Sequence, residues 1–160
     1  MMTPIAVVAA LALIASPVDD SPFCATLKQV VAAAPAGFVA LKPHEAWAGA
    51  GLENWQTDVQ LDDALTCGVR MAGVPHTYQC MAGEWSEPGS GDARVLADRV
   101  GTCLGLRMAG NGDPAVNGDE YAARVRGVDI RISYDLIIMH GPDQISYSHY
   151  LALRVSAGGD

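Results

Sequence analysis

The chain lacks every short signature of a nucleophilic or metal-dependent hydrolase. Neither G-x-S-x-G nor H-E-x-x-H occurs in its 160 residues, which removes the strained nucleophile turn and the paired-histidine zinc helix. The four cysteines stand at 24, 67, 80 and 103, and no two have the close spacing of a zinc ligand pair. Gly49, Ala50 and Gly51 lack the third glycine of a dinucleotide fingerprint. No cofactor is therefore expected. Charge is scarce as well: 18% of residues are Asp, Glu, Lys or Arg, with a balance of −8. A net-acidic chain repels phosphate backbones and anionic lipid, so neither nucleic acid nor a membrane surface is expected as a partner.

Long apolar runs are also missing, save one near the start. Residues 5–15 are apolar and uncharged. At ~1.5 Å per residue they reach across roughly half of a ~30 Å hydrocarbon core, too little to span it. The run fits the hydrophobic part of a secretory signal peptide, although no Lys or Arg precedes it. The expectation is a signal peptide over residues 1–18 and a single domain over residues 19–160. The mature chain would then have no membrane span and be secreted or periplasmic.

What is present begins with a near-repeat. Thr66–Gly73 reads TCGVRMAG and Thr102–Gly110 reads TCLGLRMAG. Their flanks do not align, and the two copies carry different local signals. In the first, Leu65, Cys67, Val69 and Met71 alternate with Thr66, Gly68 and Arg70, the period of a half-buried strand. A turn at Gly73-Val74 would return the chain with Val69 facing Tyr78 and Cys67 facing Cys80. In the second, Leu96, Val100, Cys103 and Leu104 fall on one helix face. Ser90 or Asp92 is the candidate N-cap, Gly101 a weak point, and Gly105 the C-cap. Another helix starts at Ser21-Pro22, with Cys24, Leu27, Val31 and Ala34 as its stripe, and ends at Pro35 and Gly37.

The remaining elements follow from pattern. Residues 37–42 read as a short strand, 43–56 as a loop or broken helix, and 58–61 as the start of the strand carrying Cys67. Residues 109–120 are turn-rich. Residues 120–125 suggest a strand joined through Arg126-Gly127 to a long one in which Val128, Ile130, Ile132, Tyr134, Leu136 and Ile138 share a face. Centring the last hairpin on Pro142-Asp143 sets Ile138 against Tyr147 and Leu136 against His149. The fold class expected is α+β, an antiparallel β-sheet with two α-helices packed on one face as a two-layer sandwich. That element order resembles the two-layer fold of bacterial secretion chaperones, in order alone, and no residue role follows from it.

An even cysteine count in an exported chain favours disulfides. The hairpin register pairs Cys67 with Cys80, which leaves Cys24 for Cys103 and requires the two helices to lie side by side. The rival arrangement joins Cys80 to Cys103.

Candidate functional residues are few. His76 and His140 sit at hairpin tips and would form a site with Asp143 if the tips adjoin. In that register His140 faces Ile145, so His149 lies four positions further along the strand, too far to share a metal with His140, and is expected in or beside the core near Tyr134 or Tyr147. Asn111, Asp113, Asn117, Asp119 and Glu120 offer oxygen donors, but Ala115 breaks the alternation of a calcium loop. Trp47 and Trp55 flank a glycine-rich segment, an arrangement suited to a ligand or partner surface; the competing reading has both rings closing the edge of the core. The leading expectation is an exported, non-enzymatic binding module: an inhibitor, an immunity-type protein or a periplasmic chaperone, with another protein as partner. The alternative is a small secreted hydrolase using His76 or His140 with Asp143.

Processing is directly testable. Intact mass spectrometry of exported protein should give a chain beginning between Leu13 and Asp20; a product retaining Met1 refutes the leader.

Overall fold

The computed structural model describes residues 21–47, 54–62, 65–71, 73–85, 92–110, 120–140 and 145–158. The expected leader, residues 1–18, lies outside them. The first helix, α1 (Pro22–Ala33), opens as its sequence requires. The Ser21 hydroxyl accepts a hydrogen bond from the Cys24 N–H at 3.3 Å, and Pro22 fills the first turn, where a missing N–H costs nothing. The helix tightens into a 3₁₀ turn at Ala34–Ala36. Gly37 is left-handed, and the N–H groups of Gly37 and Phe38 return to the carbonyls of Ala34 and Ala33, each at 3.0 Å.

Residues 37–42 do not form the expected strand. Phe38 and Lys42 both have positive φ, and Val39–Leu41 is a 3₁₀ turn. The reason is visible in burial. Phe38 and Leu41 are buried while Val39 is 70% exposed. A spacing of three is the 3₁₀ repeat, whereas a strand would bury every second residue.

Residues 43–56 also differ from expectation. They hold two short strands, β1 (His44–Trp47) and β2 (Asn54–Gln56), paired antiparallel. The next hairpin is as expected. β3 (Leu65–Arg70) and β4 (Thr77–Trp85) place Cys67 opposite Cys80 and Val69 opposite Tyr78. Residues 58–61 are not strand, because side chains do the pairing there. β2 stops with Gln56 opposite Gly68. At the next residue the Gln60 amide accepts from the Cys67 N–H at 2.8 Å and donates to the Cys67 carbonyl at 3.1 Å. A side-chain amide carries the same donor and acceptor as a peptide unit and can take its place on the ladder. Thr57 anchors the segment, its hydroxyl donating to the Leu41 carbonyl at 2.8 Å.

The second helix, α2 (Asp92–Leu104), buries Leu96, Val100 and Cys103 as its stripe predicts. Asp92 is its first helical residue rather than its cap, and Ser90 lies outside the described residues. The helix ends at left-handed Gly105. Leu106 N–H bonds the Gly101 carbonyl at 3.0 Å and Gly105 N–H the Thr102 carbonyl at 3.4 Å, the double closure of a glycine cap. Four more strands follow: β5 (Ala109–Gly110), β6 (Tyr121–Val125), β7 (Val128–His140) and β8 (Ile145–Ala157). Arg126 and Gly127 both have positive φ, the two-residue turn whose twist matches its flanking strands. The β7–β8 register sets Ile138 against Tyr147 and Leu136 against His149, as expected.

Among the described residues eight strands form one antiparallel sheet, in the order β1-β2-β3-β4-β8-β7-β6-β5. α1 and α2 lie side by side on one face. Between the layers sit Phe23, Leu27 and Val30 from α1 and Ala97 and Val100 from α2. Val69, Tyr78, Ile130, Ile132, Leu153 and Val155 meet them from the sheet.

Two disulfides staple this arrangement: Cys24–Cys103, with Cα atoms 5.0 Å apart, and Cys67–Cys80, with Cα atoms 4.0 Å apart. Their sequence separations are 79 and 13 residues. By loop-closure entropy the first contributes about 4–5 kcal/mol and the second about 3 kcal/mol. Such bonds fit an oxidising, extracytoplasmic environment. Among the described residues no helix is long and apolar enough to cross a membrane.

Gly101 is a requirement of the cap rather than a weak point. A β-carbon there would lie 2.6 Å from the Leu106 carbonyl oxygen, the group that follows the cap. Helix propensity alone predicts that Gly101→Ala stabilises by about 1 kcal/mol. The close approach predicts a loss of about 1–3 kcal/mol by forced repacking. Chemical denaturation of the single variant decides the sign.

Candidate functional site

The structure separates the two histidine-bearing hairpin ends. β4 runs antiparallel to β8, with Thr77 opposite Ser156, whereas His140 pairs with Ile145. His76 precedes Thr77 and so lies by the C-terminal end of β8, while His140 lies by its start. The eleven residue steps from Ile145 to Ser156 span roughly 36 Å of strand at ~3.3 Å per residue. His76 and His140 are therefore not brought together, and Asp143 lies outside the described residues. His76 instead packs against the end of α1: a β-carbon on Gly37 would stand 3.0 Å from its Nδ1. His149 is in register with Leu136 on one side and Trp85 on the other.

Of the turn-rich oxygen donors, Asn111, Asp113, Asn117 and Asp119 lie outside the described residues. Glu120 is described and pairs with Arg131 at 3.7 Å. Among the described residues no group of three His, Cys, Asp or Glu side chains is arranged to hold a metal ion.

Trp47 and Trp55 fall on neighbouring strands, Trp47 opposite Asn54 and Trp55 opposite Ala46. Trp55 is also in register with Val69, which is fully buried, so it projects from the helix-covered face. Its ring is partly buried, and its Nε1 is buried without an acceptor among the described residues. This position suits a ring closing the edge of the core. The side chain of Trp47 lies outside the described part of the structure.

On the helix side, polar groups serve to hold elements together. Arg99 of α2 lies 3.8 Å over the Phe23 ring of α1 and bonds Asp62 at 2.6 Å, joining both helices to the segment before β3. An open depression of about 310 Å³ lies beside this contact, lined by Ser21, Phe23, Gln60 and Asp62 among others. The Tyr78 hydroxyl donates to the Val59 carbonyl at 2.7 Å. Burial pushes its phenol well above the ordinary tyrosine range.

The opposite face of the sheet has a different chemistry. Strand alternation places Arg70, Thr77, Ser156, Asp129 and Arg124 in one row across β3, β4, β8, β7 and β6. The adjacent row carries Gly68, Gln79, Arg154, Arg131 and Ala122. Arg131 and Arg154 face each other directly across β7 and β8. Their side chains diverge: Arg154 Nη1 donates to Ser133 Oγ at 2.9 Å, while Arg131 reaches Glu120. Arg124 pairs with Asp129 at 3.6 Å. The Nε of Arg70 is buried without an acceptor among the described residues. A depression of about 250 Å³ opens between Arg124 and Arg131 and is lined also by Ala122 and Asp129. Sequence reasoning did not single out these arginines. Their one signal was position, since each alternates with an apolar residue on its strand and so belongs to the face away from the core.

No family model matches the chain, and no curated protein or solved structure matches it either. The likeness in element order to the secretion chaperones thus gains no support from any solved fold.

The Tyr78 contact makes a pH-dependent prediction. Tyr78→Phe leaves the Val59 carbonyl without its donor and should cost about 1–2 kcal/mol at neutral pH. The folded state keeps the phenol protonated where the unfolded chain ionises, so the wild type loses stability as pH rises above about 10. The gap between wild type and Tyr78→Phe should therefore narrow from about pH 10 upward; urea denaturation at a series of pH values measures it.

Proposed function

We propose that this chain is an exported binding module, released by removal of its leader and acting outside the cytoplasm by holding another protein. The observation that carries the reading is the asymmetry of the sheet. One face is sealed by two disulfide-tied helices. The other carries two rows of polar and arginine side chains that no helix covers among the described residues. A frame fixed by two covalent ties presents a surface with little ordering cost on association. An inhibitor, an immunity-type protein and a periplasmic chaperone are all compatible with such a frame. The hydrolase alternative needs His76 or His140 in one cleft with Asp143; the separation of the two hairpin ends weighs against His76, while Asp143, the partner of His140 in that reading, lies outside the described residues.

The test is capture from an extracytoplasmic extract by the immobilised oxidised protein, with recovered proteins identified by mass spectrometry. One partner, retained through a stringent wash and displaced by excess free protein, is the expected result. Recovery of no competable partner, together with turnover of ester or peptide substrates that His140→Ala abolishes, would favour the hydrolase.

A further inference from the structure

The helix-free face carries an uneven share of the cations. The chain has ten Lys and Arg residues against eighteen Asp and Glu. Four of the ten, Arg70, Arg124, Arg131 and Arg154, lie in two adjacent rows of this face. The carboxylates among them are Asp129 and Glu120. Their ion pairs with Arg124 and Arg131 are long, at 3.6 and 3.7 Å, and the four side chains are 34–64% exposed. Pairs of that kind contribute little and exchange readily with water or with another partner.

Arg131 and Arg154 stand directly opposite on the ladder, and their guanidinium groups turn apart, Arg154 to the Ser133 hydroxyl and Arg131 to Glu120. Two cations thus share one stretch of this face. Ala122 follows Arg131 in its row, and the small side chain leaves the open depression between Arg124 and Arg131. The hollow is lined by two guanidinium groups, either of which can take the two oxygens of a carboxylate, and by Asp129, whose long pair with Arg124 an incoming carboxylate would replace.

The chain's overall charge is −8. A long, uniformly anionic polymer would feel that charge beyond the two arginine rows, whereas a short acidic segment seated on the rows meets mainly the arginines.

From these observations we propose that the helix-free face binds an acidic segment of another protein, with a carboxylate seated between Arg124 and Arg131 and Arg154 contributing beside it. This inference rests on the binding-module reading and names the surface and the chemistry of its partner.

The test uses the oxidised protein and a short labelled peptide of alternating glutamate and serine, followed by fluorescence anisotropy. Saturable binding is expected that weakens with added salt, and that Arg131→Gln combined with Arg154→Gln weakens by ~10-fold or more. The double variant should melt within about 5 °C of the wild type, since it removes one long, exposed ion pair and one side-chain hydrogen bond. If it fails to fold, the exposed single substitution Arg131→Glu serves the same purpose. A single-stranded oligonucleotide and vesicles containing phosphatidylglycerol provide the contrast.

The proposal is overturned by absent or unsaturable peptide binding, or by binding indifferent to the arginine substitutions. Equal binding of oligonucleotide or vesicle overturns it too, as does self-association that the same substitutions relieve. The capture experiment separates the two levels. A partner held equally by wild type and Arg131→Gln/Arg154→Gln refutes this surface and leaves the binding module standing. Absence of any partner removes the module itself.

Discussion

The covalent tie between the start of α1 and the end of α2 is the constraint on which the architecture depends. Helices of 12 and 13 residues are marginal on their own. Joining Cys24 to Cys103 fixes them side by side and makes their apolar stripes act as one layer. Arg99 reinforces the same alignment, lying over Phe23 while bonding Asp62. With the helices so placed, the sheet residues beneath them are sealed, from Val69 and Tyr78 through Ile130 to Val155. The other face is left to polar chemistry.

Much of the fold was legible because its strongest signals are periodic. Alternation over β3–β4 and β7–β8 gave registers that a one-residue slip would invert, so the pairing of Cys67 with Cys80 followed from pattern. The Cys24–Cys103 bond was the preferred remaining pair, against a rival joining Cys80 to Cys103, and the side-by-side helices form it. What was hidden depends on contacts distant in sequence. Gln60 substitutes for a strand residue only because β2 ends beside it. The residues after Gly37 look like a strand until Phe38 and Leu41 are seen to bury at a spacing of three. Gly101 reads as a helix flaw until the returning Leu106 carbonyl is seen beside it.

The candidate site was less legible, for a physical reason. Patterns expose a core because burial selects residue type strongly; an open face constrains it weakly. Trp47 and Trp55 attracted notice by composition, yet Trp55 turns toward the sealed face. The arginines are scattered over positions 70 to 154 and converge only through the order of strands in the sheet. His76 and His140 illustrate the converse: both are hairpin-tip residues, and antiparallel pairing sends their tips apart.

The cysteines are all buried; even the most accessible are about 5% exposed. Thiol–disulfide exchange requires in-line approach of a thiolate to a sulfur, and burial of this degree hinders it. Reduction is therefore favoured by parting of the layers. In surroundings that contain thiols, the lifetime of these bonds depends on how often the molecule opens as well as on the reducing strength of the medium. The staples and the fold protect each other, and a chain that has once closed its two bonds keeps them for as long as it stays shut.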